Sequence, residues 1–180
     1  MDYTVRPART GDVKAIRQLV DANVTSGRLL DKATVTLYED VQEFLVAERA
    51  EDGIVVGCGA LHVIWEDLGE IRTVAVHHEL RGRGIGRLLV ERLLQTAREL
   101  GVQRVFVLTF EVAFFASLGF EKAPAAPVSP EVYAELLRSY DEGVAEFLDL
   151  DRVKPNTLGN TRMQVRLQAG SAGPVPRAGW

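Results

Sequence analysis

The residues best suited to chemistry gather in one glycine-rich segment, Arg81-Gly82-Arg83-Gly84-Ile85-Gly86, followed by Arg87. Glycine lets a backbone approach a ligand closely, and the first N–H groups of a helix point at an anion with the helix dipole behind them. A strand, such a turn and then a helix is the geometry of a phosphate cradle, to which Arg81, Arg83 and Arg87 add positive charge. A plain tight turn is the bland alternative. Upstream, Glu70 and Arg72 have the same parity, so a regular strand places both on one face. Arg72 then balances that carboxylate, meets a substrate, or forms a simple ion pair. His62, His77, His78 and the lone Cys58 make no cluster at metal-ligand spacing, so no metal is expected. His62 lies in an apolar run and reads as a core histidine.

Two nucleotide readings fail on the letters. A Walker A loop ends in Gly-Lys-Ser/Thr, whereas Gly86 is followed by Arg87 and Leu88. A dinucleotide fingerprint needs Gly-x-Gly-x-x-Gly, and here Gly82, Gly84 and Gly86 alternate.

The elements that must hold this segment are legible from periodicity. Tyr3 to Arg6 is strand-like, and Thr10 reads as the N-cap of a helix with Val13, Ile16, Leu19 and Val20 on one face. Gly27, Leu29 and Leu30 lead to a second helical pattern of Leu37, Tyr38, Val41, Phe44 and Leu45. Phe44 to Ala47, Ile54 to Ile64 and Glu70 to Val76 read as strands separated by Asp-Gly and Leu-Gly turns. The glycine segment opens a helix with a stripe of Ile85, Leu88, Leu89, Leu93, Ala97 and Leu100, stopped at Gly101. Val105 to Leu108 is a buried strand, and Val112 to Leu118 a short amphipathic piece. Pro124 and Pro127 mark a loop, and Ser129-Pro130 starts a helix bearing Tyr133, Leu136, Leu137 and Tyr140. Thr161 to Leu167 alternates as a last strand, and Gln168 to Trp180 is expected to be a flexible tail. The reading is a mixed α/β domain over residues 1–167.

Composition narrows the partners. At 180 residues, 47% hydrophobic and 26% charged, the chain has enough apolar material for a core without disulfides. A net charge of −4 argues against non-specific nucleic-acid binding, which depends on phosphate neutralisation. No run is long enough to span a membrane and no signal peptide is visible, so a cytoplasmic protein acting on small molecules is expected. Homo-oligomerisation is left open.

The spacing Arg/Gln-x-x-Gly-x-Gly/Ala is met by Arg81, Gly84 and Gly86, and with it the chain resembles the GNAT acetyltransferases. The resemblance runs from Tyr3 to Leu167 and is sharpest from Gly69 to Phe120, including Phe114-Phe115-Ala116-Ser117-Leu118-Gly119-Phe120. Cys58-Gly59-Ala60-Leu61, Gly69-Glu70, Val74-Ala75-Val76-His77 and Val105-Phe106-Val107-Leu108-Thr109 look like the acetyltransferase domain of N-acetylglutamate synthases. The kinase-like domain usual in those enzymes has no room here, so a short stand-alone form is expected.

The resemblance implies a mixed central sheet flanked by helices, with acetyl-coenzyme A (acetyl-CoA) as co-substrate. Its pyrophosphate would rest on Arg81, Gly82, Arg83, Gly84, Ile85, Gly86 and Arg87, and its pantetheine would pair with the backbone of Thr73, Val74, Ala75 and Val76. Glu70 falls on the general-base position and Thr109 on a hydroxyl position beside the thiol. Lys32 falls where the synthases place an arginine for the α-carboxylate. Their arginine for the side-chain carboxylate falls near Gly159 and is absent, leaving Lys154, Asn156 and Asn160 as substitutes or a pocket that favours glutamine. The implied reaction is acetyl transfer to the α-amine of glutamate or glutamine, the first acetylation of arginine biosynthesis. A GNAT enzyme acting on another amine, such as a peptide N-terminus, and a non-catalytic acetyl-CoA-binding module are the alternatives.

Overall fold

Short apolar runs broken by Asp-Gly and Leu-Gly turns build one mixed sheet. Its strands are β1 (Tyr3–Pro7), β2 (Phe44–Arg49), β3 (Val55–Trp65), β4 (Leu68–Val76), β5 (Arg104–Thr109), β6 (Glu121–Lys122) and β7 (Thr161–Arg166). The helices are α1 (Val13–Val24), α2 (Thr34–Glu39), α3 (Ile85–Glu99), α4 (Val112–Ala116), α5 (Pro130–Leu136) and α6 (Glu142–Phe147). The computed structural model describes residues 2–24, 29, 32–123, 128–148, 150 and 159–167. The strand order is β1-β2-β3-β4-β5-β7-β6. Every described pairing is antiparallel except that of β4 with β5. This is the mixed, helix-flanked sheet expected from the sequence.

Alternation along the strands splits the core between two faces. Leu45, Ala47, Ile71, Val105, Val107 and Met163 pack with α3 and with Phe115 of α4. On the other face, Phe44, Val46, Cys58, Ala60 and Ala75 pack with α1 and Leu37 of α2. Further along that face, Leu68 and Phe106 pack with Leu136 of α5 and with Val144 and Phe147 of α6.

Several local expectations are corrected. Thr10 does not cap the first helix: Asp12 accepts the Arg9 N–H at 2.7 Å and is held by Arg6, also at 2.7 Å, through a 3-10 turn that leads into α1. The second helical pattern stops at Glu39, and a 3-10 turn at Val41–Glu43 gives way to β2 at Phe44. Phe44 and Leu45 go to opposite faces of the sheet, which a helix stripe could not achieve. In α3 the buried residues are Ile85, Leu89, Val90, Leu93, Leu94 and Ala97, while Leu88 and Leu100 are exposed. Leu100 is already the C-cap, and Gly101 at φ +87° ends the helix as expected. The Gly101 N–H donates to the Arg98 carbonyl and the Val102 N–H to the Ala97 carbonyl, the Schellman pairing.

The helix after Ser129-Pro130 is also shorter than its pattern. It buries Leu136 alone, whereas Tyr133, Leu137 and above all Tyr140 face solvent. Ser139 Oγ accepts the Asp141 N–H at 3.2 Å, Asp141 Oδ1 accepts the Val144 N–H at 2.9 Å, and α6 begins. That helix was not legible, whereas the two-residue β6 follows Phe120, at the end of the segment that resembles the family's helix-to-strand motif. The proposed tail at 168–180 lies outside the described residues.

Candidate active site

The parallel strands β4 and β5 pair only from Leu68 to Glu70 with Arg104 to Phe106. Beyond that they part, and a cavity of about 460 Å³ opens between Thr73, Val74 and Val76 on β4 and Leu108 and Thr109 on β5. A bulge shapes the β4 wall. Ala60 pairs with Arg72 and Cys58 with Ala75, so Gly59 alone opposes Thr73 and Val74. Thr73 sits at φ +57°, a costly conformation for a β-branched residue. The bulge shifts parity, so that Ile71 and Val74 both pack toward α3 while Arg72 and Ala75 take the other face. A Cβ on Gly59 would lie 3.0 Å from Leu93 Cδ1 and 3.4 Å from Val74 Cγ2, so the bulge depends on a glycine opposite it.

The glycine segment closes one end. Gly82 and Gly84 have φ of +76° and +84° and open space where a Cβ would be, and both line the cavity. Gly84 is the N-cap of α3, so the first N–H groups of that helix are presented beside bare backbone. These residues fit the pyrophosphate of acetyl-CoA. The arginines divide their roles. Arg81 lines the cavity and donates to Asn23 Oδ1 at 2.8 Å, and Asn23 Nδ2 in turn donates to the Leu19 carbonyl. Arg87 reaches Ser117 Oγ at 2.9 Å and Glu91 at 3.2 Å. Ile85 and Gly86 line the cavity as expected, whereas Arg83 is not part of the described wall. Ala75 is not part of the described wall either, its side chain being buried in the α1 core.

At the other end of β4, Glu70 and Arg72 share a face as their parity predicts. Arg72 Nη1 lies 4.0 Å from Glu70 Oε2 and donates to both Asp141 oxygens at 3.0 and 2.9 Å. Its Nη2 donates to Glu43 at 3.0 Å and approaches Asp40 at 3.5 Å. A Cβ on Gly143 would lie 2.8 Å from Glu70 Oε2, 3.0 Å from Asp141 Oδ1 and 3.2 Å from Arg72 Nη1, so the cluster rests on bare α6 backbone. His62 is satisfied, as a core histidine would be, with Nδ1 2.6 Å from Glu43 Oε1, but it is only part-buried. Burial is the largest single influence and pushes His62 down, but the Glu43 hydrogen bond together with the charges of Glu43 and Asp141 outweighs it, and the pKa is raised above the ordinary 6.5. Burial pushes Glu43 and Asp141 up, yet His62 and Arg72 hold the first, and Arg72 with the Val144 N–H the second, below the carboxylate range. Asp40 is pushed up by burial and by Glu43.

Thr109 is buried at the end of β5, lines the cavity, and accepts the Glu111 N–H at 2.9 Å, which leaves its own O–H to donate. Cys58 is fully buried, and burial pushes its thiol up to about 12, so it is no nucleophile. Lys32 acts on Asp40 at a distance, and its backbone carbonyl accepts from Arg17. Neither Lys32 nor Asn160 belongs to the described cavity wall, and Lys154 and Asn156 lie outside the described residues. Among the described residues no group of three metal-ligating side chains occurs. Asn23, Asp40, Glu43, Asp141 and Gly143 are the additions that sequence reasoning missed. Asn23 carried a signal, as a polar residue four after Leu19 on the buried stripe of α1.

A splayed sheet, a bulged β4 and a glycine-capped α3 are the frame of an acyl-CoA-dependent transferase, and the chain belongs to the acetyltransferase (GNAT) family, whose profile matches residues 15–120. It is 63% identical over 161 residues to the amino-acid acetyltransferase of Mycobacterium tuberculosis, covering 88% of this chain and 91% of that protein. The crystal structure of Rv2747 from M. tuberculosis in complex with CoA and NLQ superposes with a TM-score of 0.89 at 61% identity, covering 92% of this chain and 99% of that one. N-acetylglutamate synthase from Neisseria gonorrhoeae, complexed with coenzyme A and N-acetyl-glutamate, gives a TM-score of 0.73 at 25% identity, covering 93% of this chain but 36% of that one.

Proposed function

We propose that this protein transfers the acetyl group of acetyl-CoA to the α-amine of an amino acid, L-glutamate or L-glutamine, as the first acetylation of arginine biosynthesis in the cytoplasm. The observation that carries this reading is the cleft between β4 and β5, with a bare-backbone anion seat at one end and Arg72 in its wall at the other; buried Glu70, 4.0 Å from Arg72, stands just behind that wall. The similarity to the M. tuberculosis amino-acid acetyltransferase supports the acceptor class. The coenzyme A bound in the M. tuberculosis and N. gonorrhoeae complexes supports the co-substrate.

In this reading the N–H groups from Arg81 to Arg87 hold the pyrophosphate, and the backbone of Thr73–Val76 pairs with the pantetheine as an added strand does. An ammonium has no lone pair with which to attack a thioester, so Glu70 takes the proton, directly or through a water. Arg72 supplies balancing charge from 4.0 Å. The Val74 N–H, beside the bulge, polarises the thioester carbonyl as charge develops on its oxygen. The amine nitrogen forms the amide bond, the carbon–sulfur bond breaks, the nitrogen's second proton passes to the departing thiolate, and Thr109 donates a hydrogen bond to that sulfur. A thiol of pKa about 8.5 needs little further help. Transfer is direct, since buried Cys58 offers no acyl acceptor.

Lys32 is the proposed partner of the acceptor's α-carboxylate, and Asn160 of its side-chain amide. Arg72 lines the cavity and already binds Asp141 and Glu43, so a substrate carboxylate that meets it competes with both. With Asp40, Glu43, Glu70 and Asp141 around it, this region disfavours a second carboxylate on the acceptor. CoA-thiol release measured across the twenty amino acids tests the reading. Glutamine is expected to be used at least as efficiently as glutamate, and both should lose efficiency together in Lys32→Ala. Tight acetyl-CoA binding with no turnover on any amino acid would contradict it.

A further inference from the structure

We infer that Gly143 and Asp141, at the start of α6, are positioning residues for the Glu70 carboxylate, and this inference rests on the reading of Glu70 as the base. Glu70 lies on a central strand, and its side chain is 5% exposed. Position along β4 fixes its Cα, but the carboxylate end of a glutamate has three further torsions to settle. Two features bear on them. One is space: the carboxylate end occupies room left by the missing side chain of Gly143, where a Cβ would lie 2.8 Å from Glu70 Oε2. The other is electrostatic: Arg72 Nη1, the nitrogen closest to Glu70, is also bound by both oxygens of Asp141 at 2.9 and 3.0 Å. Asp141 thereby fixes the guanidinium plane and competes for its charge. Asp141 is in turn tied to α6 by the Val144 N–H at 2.9 Å. The helix is pinned to the sheet by Val144 and Phe147, the latter with its ring tilted against that of Phe106 at 4.4 Å between centroids; Phe106 is the residue paired with Glu70 on β5. The base is thus held between β4 and α6.

The groups facing Glu70 are Arg72 on its own strand, His62 directly across on β3, Glu43 and Asp40 ahead of β2, and Asp141 on the α6 side. Arg162 on β7 is engaged by the Phe147 carbonyl at 2.7 Å. Neutralising Asp141 removes one negative charge that shares Arg72 and leaves more of its field on Glu70. The acid limb of the pH–rate profile should therefore move to lower pH.

The test compares wild type, Gly143→Ala, Asp141→Asn and Glu70→Gln by steady-state kinetics with acetyl-CoA and glutamine from pH 5 to 9, with melting temperature and acetyl-CoA affinity measured alongside. Gly143→Ala is expected to lower kcat by roughly 100-fold, the size of a 1 Å misplacement of a reacting group, while acetyl-CoA affinity stays within about twofold. Asp141→Asn is expected to fold, to lower kcat less, and to shift the acid limb down, which a purely structural role would not do. If Gly143→Ala does not fold, the Asp141→Asn profile decides. Full activity in Gly143→Ala, or an unmoved acid limb in Asp141→Asn, while Glu70→Gln is inactive, would overturn the inference and leave Glu70 as base. Full activity in Glu70→Gln would overturn both.

Discussion

Arg72 meets carboxylates drawn from three stretches far apart in sequence, at Asp40 and Glu43, at Glu70, and at Asp141. Parity alone tied Arg72 to Glu70; its other partners lie on elements whose approach no local pattern reveals. His62 shows the same limit. Its surroundings in sequence are apolar, yet it binds Glu43 across the β2–β3 region. The pair has a pH signature. Because the folded pKa of His62 is raised above 6.5, the stability it contributes is fully present below that value and is lost as pH rises through the folded pKa. Glu43 and Asp141 act oppositely: theirs is present above their ordinary values near 4.5 and 3.8 and is lost as pH falls. Melting temperatures of wild type and His62→Gln should therefore differ most near pH 6 and converge toward pH 8. A difference that grows with pH would show that His62 is not held by Glu43.

At the scale of elements, long periodic pieces and turn chemistry were readable and short ones were not. The start of α3 was legible because its function requires glycine: Gly84 at φ +84° caps the helix and leaves its backbone bare. Gly84→Val should abolish acetyl-CoA binding measured by calorimetry while the far-UV spectrum is retained. The branched side chain disfavours the left-handed conformation and fills the space the pyrophosphate needs. Unchanged affinity in a folded variant would remove the phosphate-seat reading. The bulge at Thr73 left no trace in the letters, since Val74, Ala75 and Val76 read as an ordinary strand, and only Gly59 opposite hints at it. The α6 helix was hidden because Tyr133, Leu136, Leu137 and Tyr140 make one helical stripe in the sequence, although α5 ends at Leu136 and Tyr133, Leu137 and Tyr140 are exposed. Asp141 and Gly143 were missed with it, and so was half of the setting around Glu70.

Across the whole molecule, one topological feature makes the site. A sheet whose pairings are otherwise antiparallel contains a single described parallel pair, and that pair separates after Glu70 and Phe106. The bulge in β4, the glycine cap of α3 and Thr109 at the end of β5 all border the space that results. Glu70 stands at the last paired position, where strand geometry still holds it firmly and the cleft begins. That placement makes direct transfer with Glu70 as base the central claim. The most direct measurement is the initial rate of CoA-thiol release by wild type and Glu70→Gln, with acetyl-CoA and glutamine varied together between pH 6 and 9. Intersecting double-reciprocal lines are expected, because both substrates occupy one cleft. The variant should retain acetyl-CoA affinity and lose roughly 10²–10⁴-fold in kcat at neutral pH, with the loss shrinking as the free amine becomes abundant. Parallel lines, or a variant as fast as wild type at every pH, would contradict it.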